Sequence, residues 1–250
     1  MRNLLVEICY NGANYHGYQV QANAITITEV LQDAIEKILK KRESIIGCSR
    51  TDTKVHANSY FFNMKTESKI PCDKFISVVN KALPEDIVVL SCRDVDLDFH
   101  ARYNCIGKEY IYKIYNNHQR NPYLADFALH HKNYIDAEAL HQIAQAFVGT
   151  HDFTSFCSMG YKQGISMIKT VECIDVYREG DFVNIKIKAD GFLYNMVRII
   201  VGTLLYINDG KLKADDIPRI LDAKDRRKAG KTAPPQGLYL NKVFFDTDIS

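Results

Sequence analysis

At 250 residues and 28.6 kDa the chain can bury a full core, as one large domain or two of ordinary size, and 46% hydrophobic with 25% charged residues excludes a disordered or fibrous class. A formal net charge of +2 argues neither for nor against nucleic acid, while seven scattered cysteines without a CxxC pair exclude a disulfide framework and point to reduced thiols in the cytoplasm. The N-terminus meets Glu7 after a short apolar run, and the longest apolar stretch, residues 196 to 207, is short and carries Arg198, so neither a signal peptide nor a membrane span is expected.

In chain order, Leu4, Val6, Ile8 and Tyr10 alternate as a strand. A helix follows from Thr26, with Thr26 and Glu29 as a capping box and Ile27, Leu31, Ala34, Ile35 and Ile38 on one stripe. A short strand near Ile45 and Ile46 leads into the loop "GCSRTDTKVHAN", residues 47 to 58, where one residue separates Arg50 from Asp52. A β-rich segment around "SYFFNM", a helix with Phe75, Val79 and Leu83 on one face, and the strand "IVVLSCRDV" complete the order β-α-β-β-α-β.

That order repeats. "KEYIYKIYN" reads as a strand, residues 136 to 148 as a helix opened by Asp136 and closed by Gly149, and two strands flank the turn "REGD". A hydrophobic helix over about 192 to 207, an inserted helix near "ADDIPRI" and the strand "GLYLNKVFF" follow. The expected fold is α+β: two βαββαβ halves, 1–104 and 105–250, with antiparallel sheets side by side and a central cleft. Long connections at 116–135, 150–166 and 223–236 are expected around that cleft.

Dinucleotide, P-loop, zincin and nucleophile-elbow signatures are absent, and the pairs His130–His131 and His151–Asp152 lack metal-ligand spacing, so no metal site is expected. Arg198 lies among Met196, Val197, Ile199 and Ile200, where a buried guanidinium is costly unless paired. Glu29, Glu36, Asp152, Asp190 or Asp52 would serve as its carboxylate, and a structural ion pair fits as well as a catalytic one. The run "KDRRKAGK" carries Lys224, Arg226, Arg227, Lys228 and Lys231 against Asp225, either as a solvated loop or as a footprint for nucleic-acid backbone.

"GCSRTDTKVHA" resembles the GAGRTDAGVHA signature of the tRNA pseudouridine synthase A family. "YNGANYHGYQVQ", "LPEDIVV", "FHARYNCIGKEYIYKIYN", "GTHDFTSFC", "DGFLYNMVRIIVGTLL" and "APPQGLYL" also resemble that family, in its order, from Tyr10 to Leu240. The resemblance implies that Asp52 is the nucleophile, that Arg198 pairs with it and lowers its pKa, that Tyr110 packs on the target base, and that Arg50 helps hold the flipped nucleotide or the strand it leaves. His56 is expected at the substrate, and Arg226, Arg227, Lys228 and Lys231 at the RNA backbone. It further implies a cytoplasmic homodimer, tRNA as partner, no cofactor, and isomerisation of uridine in the anticodon stem-loop at positions 38–40. Cys48, Ser49, Thr53 and Lys54 depart from the signature, and Tyr18 replaces the usual Trp. If either lost glycine, at 49 or 54, held a positive φ, the loop is strained or rebuilt. These departures leave open a weakened or inactive paralogue that only binds RNA.

Overall fold

The computed structural model describes residues 1–158, 164 and 166–246. The chain divides into two compact units, one of Met1–Ile106 with the chain from Tyr239 onward, the other of Gly107–Leu238.

In the first unit β1 (Arg2–Tyr10), α1 (Ile27–Leu39), β2 (Ile45–Gly47), β3 (His56–Thr66), α2 (Cys72–Ala82) and β4 (Ile87–Val95) follow in the expected order. β1 pairs antiparallel with β3 on one side and β4 on the other, and β2 pairs antiparallel with β3. Thr26 caps α1 by accepting the Glu29 N–H at 3.4 Å, and the helix buries Ile27, Leu31, Ala34 and Ile35. α2 buries Phe75 and Val79, and its Asn80 side chain exchanges two hydrogen bonds with the Val89 backbone, at 2.9 and 2.7 Å, which ties the helix to β4.

The second unit takes most of β5 (Cys105–Asn116), then β6 (Leu129–His131), α3 (Ala137–Ala144), β7 (Gly149–Asp152), β8 (Ile168–Glu179), β9 (Phe182–Ala189), α4 (Met196–Asn208) and α5 (Asp216–Ala223). Its strands run β5-β9-β8-β7, all antiparallel, with β6 parallel to β5. Asp136 caps α3 as expected, but the α-helix ends at Ala144 and one 3-10 turn, Gln145–Phe147, completes it before Gly149 at φ +111°. The hydrophobic helix starts at Met196 rather than near 192, because Asn195 adopts a left-handed φ of 63°. The connection 116–135 contains β6, and the connection 150–166 lies partly outside the described residues.

The last strand, β10 (Leu238–Phe245), was expected in the second half, yet from Tyr239 it belongs to the first unit. Tyr239 and Leu240 pair in parallel with His56 and Ala57 of β3, and Phe245 packs on Phe61 and Phe99 with ring centroids at 5.3 and 5.5 Å. Alternating apolar residues say which face a strand buries but not whose edge receives it. Among the described residues no helix is long and apolar enough to cross a membrane.

Candidate active site and basic loop

Asp52 is half-buried on the loop between β2 and β3, and residues 10–18 clasp that loop. The Thr51 carbonyl accepts the Tyr18 N–H at 3.2 Å, the Lys54 N–H donates to the Tyr15 carbonyl at 3.1 Å, and the Val55 N–H closes a turn on the Asp52 carbonyl at 3.1 Å. Inside, the hydroxyls of Tyr10 and Thr51 meet at 2.7 Å, and the Tyr60 hydroxyl donates to the Ser49 carbonyl at 2.5 Å.

Glycine makes this clasp possible. A Cβ on Gly12 would stand 2.0 Å from the Val55 carbonyl oxygen, and one on Gly17, at φ +86°, 2.6 Å from that of Thr51. Tyr18 stacks on Tyr60 with centroids 4.2 Å apart beneath the loop. Burial pushes both phenols well up, which keeps them neutral as hydrogen-bond groups beneath the loop. Sequence reasoning gave the segment of Tyr10, Gly12 and Gly17 a resemblance but no role at the loop, and gave Tyr60 none.

Of the two lost glycines one position is strained. Lys54 holds φ +64°, whereas Ser49 is not among the residues of positive φ. A left-handed conformation costs an L-residue about 1 kcal/mol. Lys54→Gly is therefore expected to raise the Tm by roughly 2–4 °C in a chain of this size, read in a thermal melt. An unchanged or lower Tm would show that the lysine side chain offsets its backbone strain.

Arg50 is exposed on the same loop. His56, expected at the substrate, is 1% exposed: its Nδ1 accepts the Gly12 N–H at 3.0 Å and its ring stacks on Tyr239 at 4.6 Å. It secures the loop from within.

In the second unit Tyr110 lies on β5, 7% exposed, and meets Phe192 edge to face at 5.0 Å. Two residues on, Tyr112 is fully buried, its phenol pushed up by burial, and its hydroxyl donates to the Pro234 carbonyl at 2.7 Å. Arg198, half-buried on the first turn of α4, donates from Nε to the Ala233 carbonyl at 2.7 Å and from a terminal nitrogen to Asn195 Oδ1 at 2.8 Å. The Ala233 N–H returns a bond to the Arg198 carbonyl at 3.0 Å. These bonds fix the plane of the guanidinium, and neither Asn195 nor Ala233 was evident beforehand.

The segment that holds Arg198 is also the end of the basic loop. The Gly230 N–H donates to Thr203 Oγ1 at 2.9 Å, and Gly202 and Gly230 let the backbones of α4 and residues 230–233 touch. Arg226 turns inward, donating to the Gly230 carbonyl at 2.9 Å and Thr232 Oγ1 at 3.0 Å, and desolvation lowers its pKa. Arg227 forks onto Asp225, whose carboxyl falls to about 2 beside it. Lys228 and Lys231 are exposed. With Lys224, Thr154, Cys157 and Ser158, the two arginines line a cavity of about 470 Å³.

The pattern of the tRNA pseudouridine synthase family matches residues 8–104 and 143–246. The chain is 47% identical over 245 residues to tRNA pseudouridine synthase A of Thermoanaerobacter sp. (strain X514), covering 98% of this chain and all of that protein. It is 44% identical to the protein of the same name from Acetivibrio thermocellus, with the same coverage. To tRNA pseudouridine synthase A 2 of Clostridium tetani it is 42% identical over 247 residues, covering 98% of this chain and 99% of that one. Among solved structures it is similar to a Cbf5-Nop10-Gar1 complex at 12% identity and a TM-score of 0.39, covering 96% of this chain and 59% of that chain.

Proposed function

This chain belongs to the tRNA pseudouridine synthase family, and on that premise we propose that Asp52 is the nucleophile of a uridine isomerisation directed at the anticodon stem-loop, positions 38–40. The protein is a pseudouridine synthase acting on tRNA. In that reaction the N1–C1′ bond of uridine breaks, the uracil turns, a C5–C1′ bond forms, and the proton on C5 leaves while N1 regains one. Atoms and electrons balance without a co-substrate. What the site must supply is an ionised nucleophile, a hold on the detached ring, and access to a base drawn out of its stack.

The observation that carries the reading is the clasped loop: a carboxylate on a surface connection whose backbone is pinned by Tyr15 and Tyr18 and undergirded by Tyr10 and Tyr60. A nucleophile held this way reacts from one geometry. Arg198 is assigned as the charge partner that keeps Asp52 ionised, and the two bonds fixing its guanidinium support that role. Tyr110 is assigned to stack on the target uracil, and Arg50 to the displaced nucleotide. His56 is assigned to position the loop through Gly12 and Tyr239. The enzyme works as a cytoplasmic homodimer, as the resemblance implies.

Turnover is tested by tritium release from tRNA transcripts labelled at C5 of uridine. The purified protein is expected to release label without added cofactor, with sites mapped to the anticodon arm; release confined to other arms overturns the positional assignment. Lys228 and Lys231, two of the exposed cations of the basic loop, are assigned to phosphates. Replacing both with Gln is expected to flatten the plot of log affinity against log salt by about 1.4–1.8, at roughly 0.7–0.9 per phosphate contact, with kcat unchanged. An unaltered slope removes them from the RNA interface.

A further inference from the structure

The connection between β4 and β5, residues 96–104, is held from beneath by two asparagines that the reaction does not use. Asn3 on β1 and Asn63 on β3 are 1% and 0% exposed. Asn3 Nδ2 donates to the carbonyls of Asp96 at 2.8 Å and Phe99 at 3.0 Å. Asn63 Nδ2 donates to Asn3 Oδ1 at 3.0 Å and shares the Phe99 carbonyl at 3.3 Å, while its Oδ1 accepts the Ala101 N–H at 2.8 Å. Buried amides are costly unless their hydrogen bonds are made, and here every one goes to this connection or to the other asparagine.

The anchored segment ends in a tight turn. The N–H groups of Tyr103 and Asn104 donate to the His100 carbonyl at 3.0 and 2.9 Å, and the His100 N–H donates to Asn104 Oδ1 at 2.8 Å. His100 Nδ1 accepts the N–H groups of Arg102 and Tyr103 at 3.2 and 3.3 Å, which orients its ring. On that ring lies Tyr103, centroids 4.2 Å apart and planes at 30°, with the tyrosine 79% exposed. Arg102 is exposed beside it and in no ion pair among the described residues.

An aromatic side chain backed on one face and bare on the other, on a turn restrained by these hydrogen bonds, loses little freedom when a second flat ring covers it. We propose that the turn His100–Tyr103 is a stacking platform for an unpaired base of the tRNA, with Arg102 at an adjoining phosphate. This rests on the tRNA reading above. Asn63 is seven residues along β3 from His56, about 24 Å at roughly 3.4 Å per residue, so the stacked base is a nucleotide other than the reacting uridine.

The test is the Kd for an unmodified tRNA transcript, with sedimentation of each variant and tritium release by the wild type read in parallel. Tyr103→Ala is expected to weaken binding by about 5- to 150-fold, the usual loss for one base on one aromatic ring, with kcat at saturating tRNA unchanged. Tyr103→Phe, which keeps the ring, is expected to bind within about twofold of wild type. Wild-type affinity in Tyr103→Ala overturns the platform, and so does a Phe variant as weak as the Ala variant. A Tyr103→Ala protein that sediments as a smaller species reassigns the turn to contact between copies, which also overturns it. Failure of the tRNA reading registers separately, as absence of turnover by the wild type.

Discussion

Asp52→Asn is expected to lower turnover by about 10⁴-fold or more, the scale on which removal of a nucleophile acts in enzymes with covalent intermediates, while the affinity for tRNA stays near that of the wild type. Asparagine has the same shape, and the backbone bonds of Thr51, Asp52 and Lys54 that hold the loop do not depend on the charge of the side chain. A thermal melt checks that the variant is folded at the assay temperature, because removing the charge of Asp52 also takes the assigned partner from Arg198. The pairing of a lost rate with kept binding and kept fold is the result that matters. Equal rates of tritium release by wild type and variant would take Asp52 out of the mechanism, and loss of binding together with rate would make it a substrate contact or a structural group instead.

Gly202→Ala is expected to destabilise the protein by about 3 kcal/mol or more, a fall in Tm of roughly 6–12 °C. In a helix interior alanine is ordinarily favoured over glycine by about 1 kcal/mol, so propensity alone predicts the opposite sign. The contact decides. The new Cβ would stand 1.7 Å from the Lys231 carbonyl oxygen and 2.9 Å from its carbon, both backbone atoms, so residues 230–233 must move off α4. That movement strains the Gly230 bond to Thr203 and the exchange between Ala233 and Arg198, and the rate should fall with the stability. Gly191→Ala is the control: its nearest neighbour would be the Lys169 side chain at 3.8 Å, an ordinary contact. Urea melts of both variants distinguish the cases, and a Gly202→Ala protein as stable as wild type would show that residues 230–233 yield easily.

The two glycines of the clasp and the one in α4 share a physical role. Each marks a place where one backbone crosses another too closely for a methyl group, and each lies next to a residue assigned to the chemistry. Gly12 and Gly17 bring residues 10–18 onto the Asp52 loop, and Gly202 brings residues 230–233 onto the helix of Arg198. Neither approach is visible in periodicity, because glycine carries no pattern of its own.

What was legible in the sequence was local. The stripe of α1, the Asp136 cap of α3 and the β-α-β-β-α-β order of the first unit depend on residues near each other along the chain, and the structure has each of them. The sequence also posed the right question about the lost glycines, although it could not say that Lys54 and not Ser49 carries the positive φ. Tertiary structure alone decided that Tyr239 onward joins the first unit, that His56 turns inward between Gly12 and Tyr239, and that the Arg198 guanidinium is oriented by Asn195 and Ala233. Helix and strand periods are set by neighbours along the chain, but a strand's edge, a buried histidine's partners and an arginine's acceptors come from backbone far away in sequence, where no residue pattern records which group will arrive.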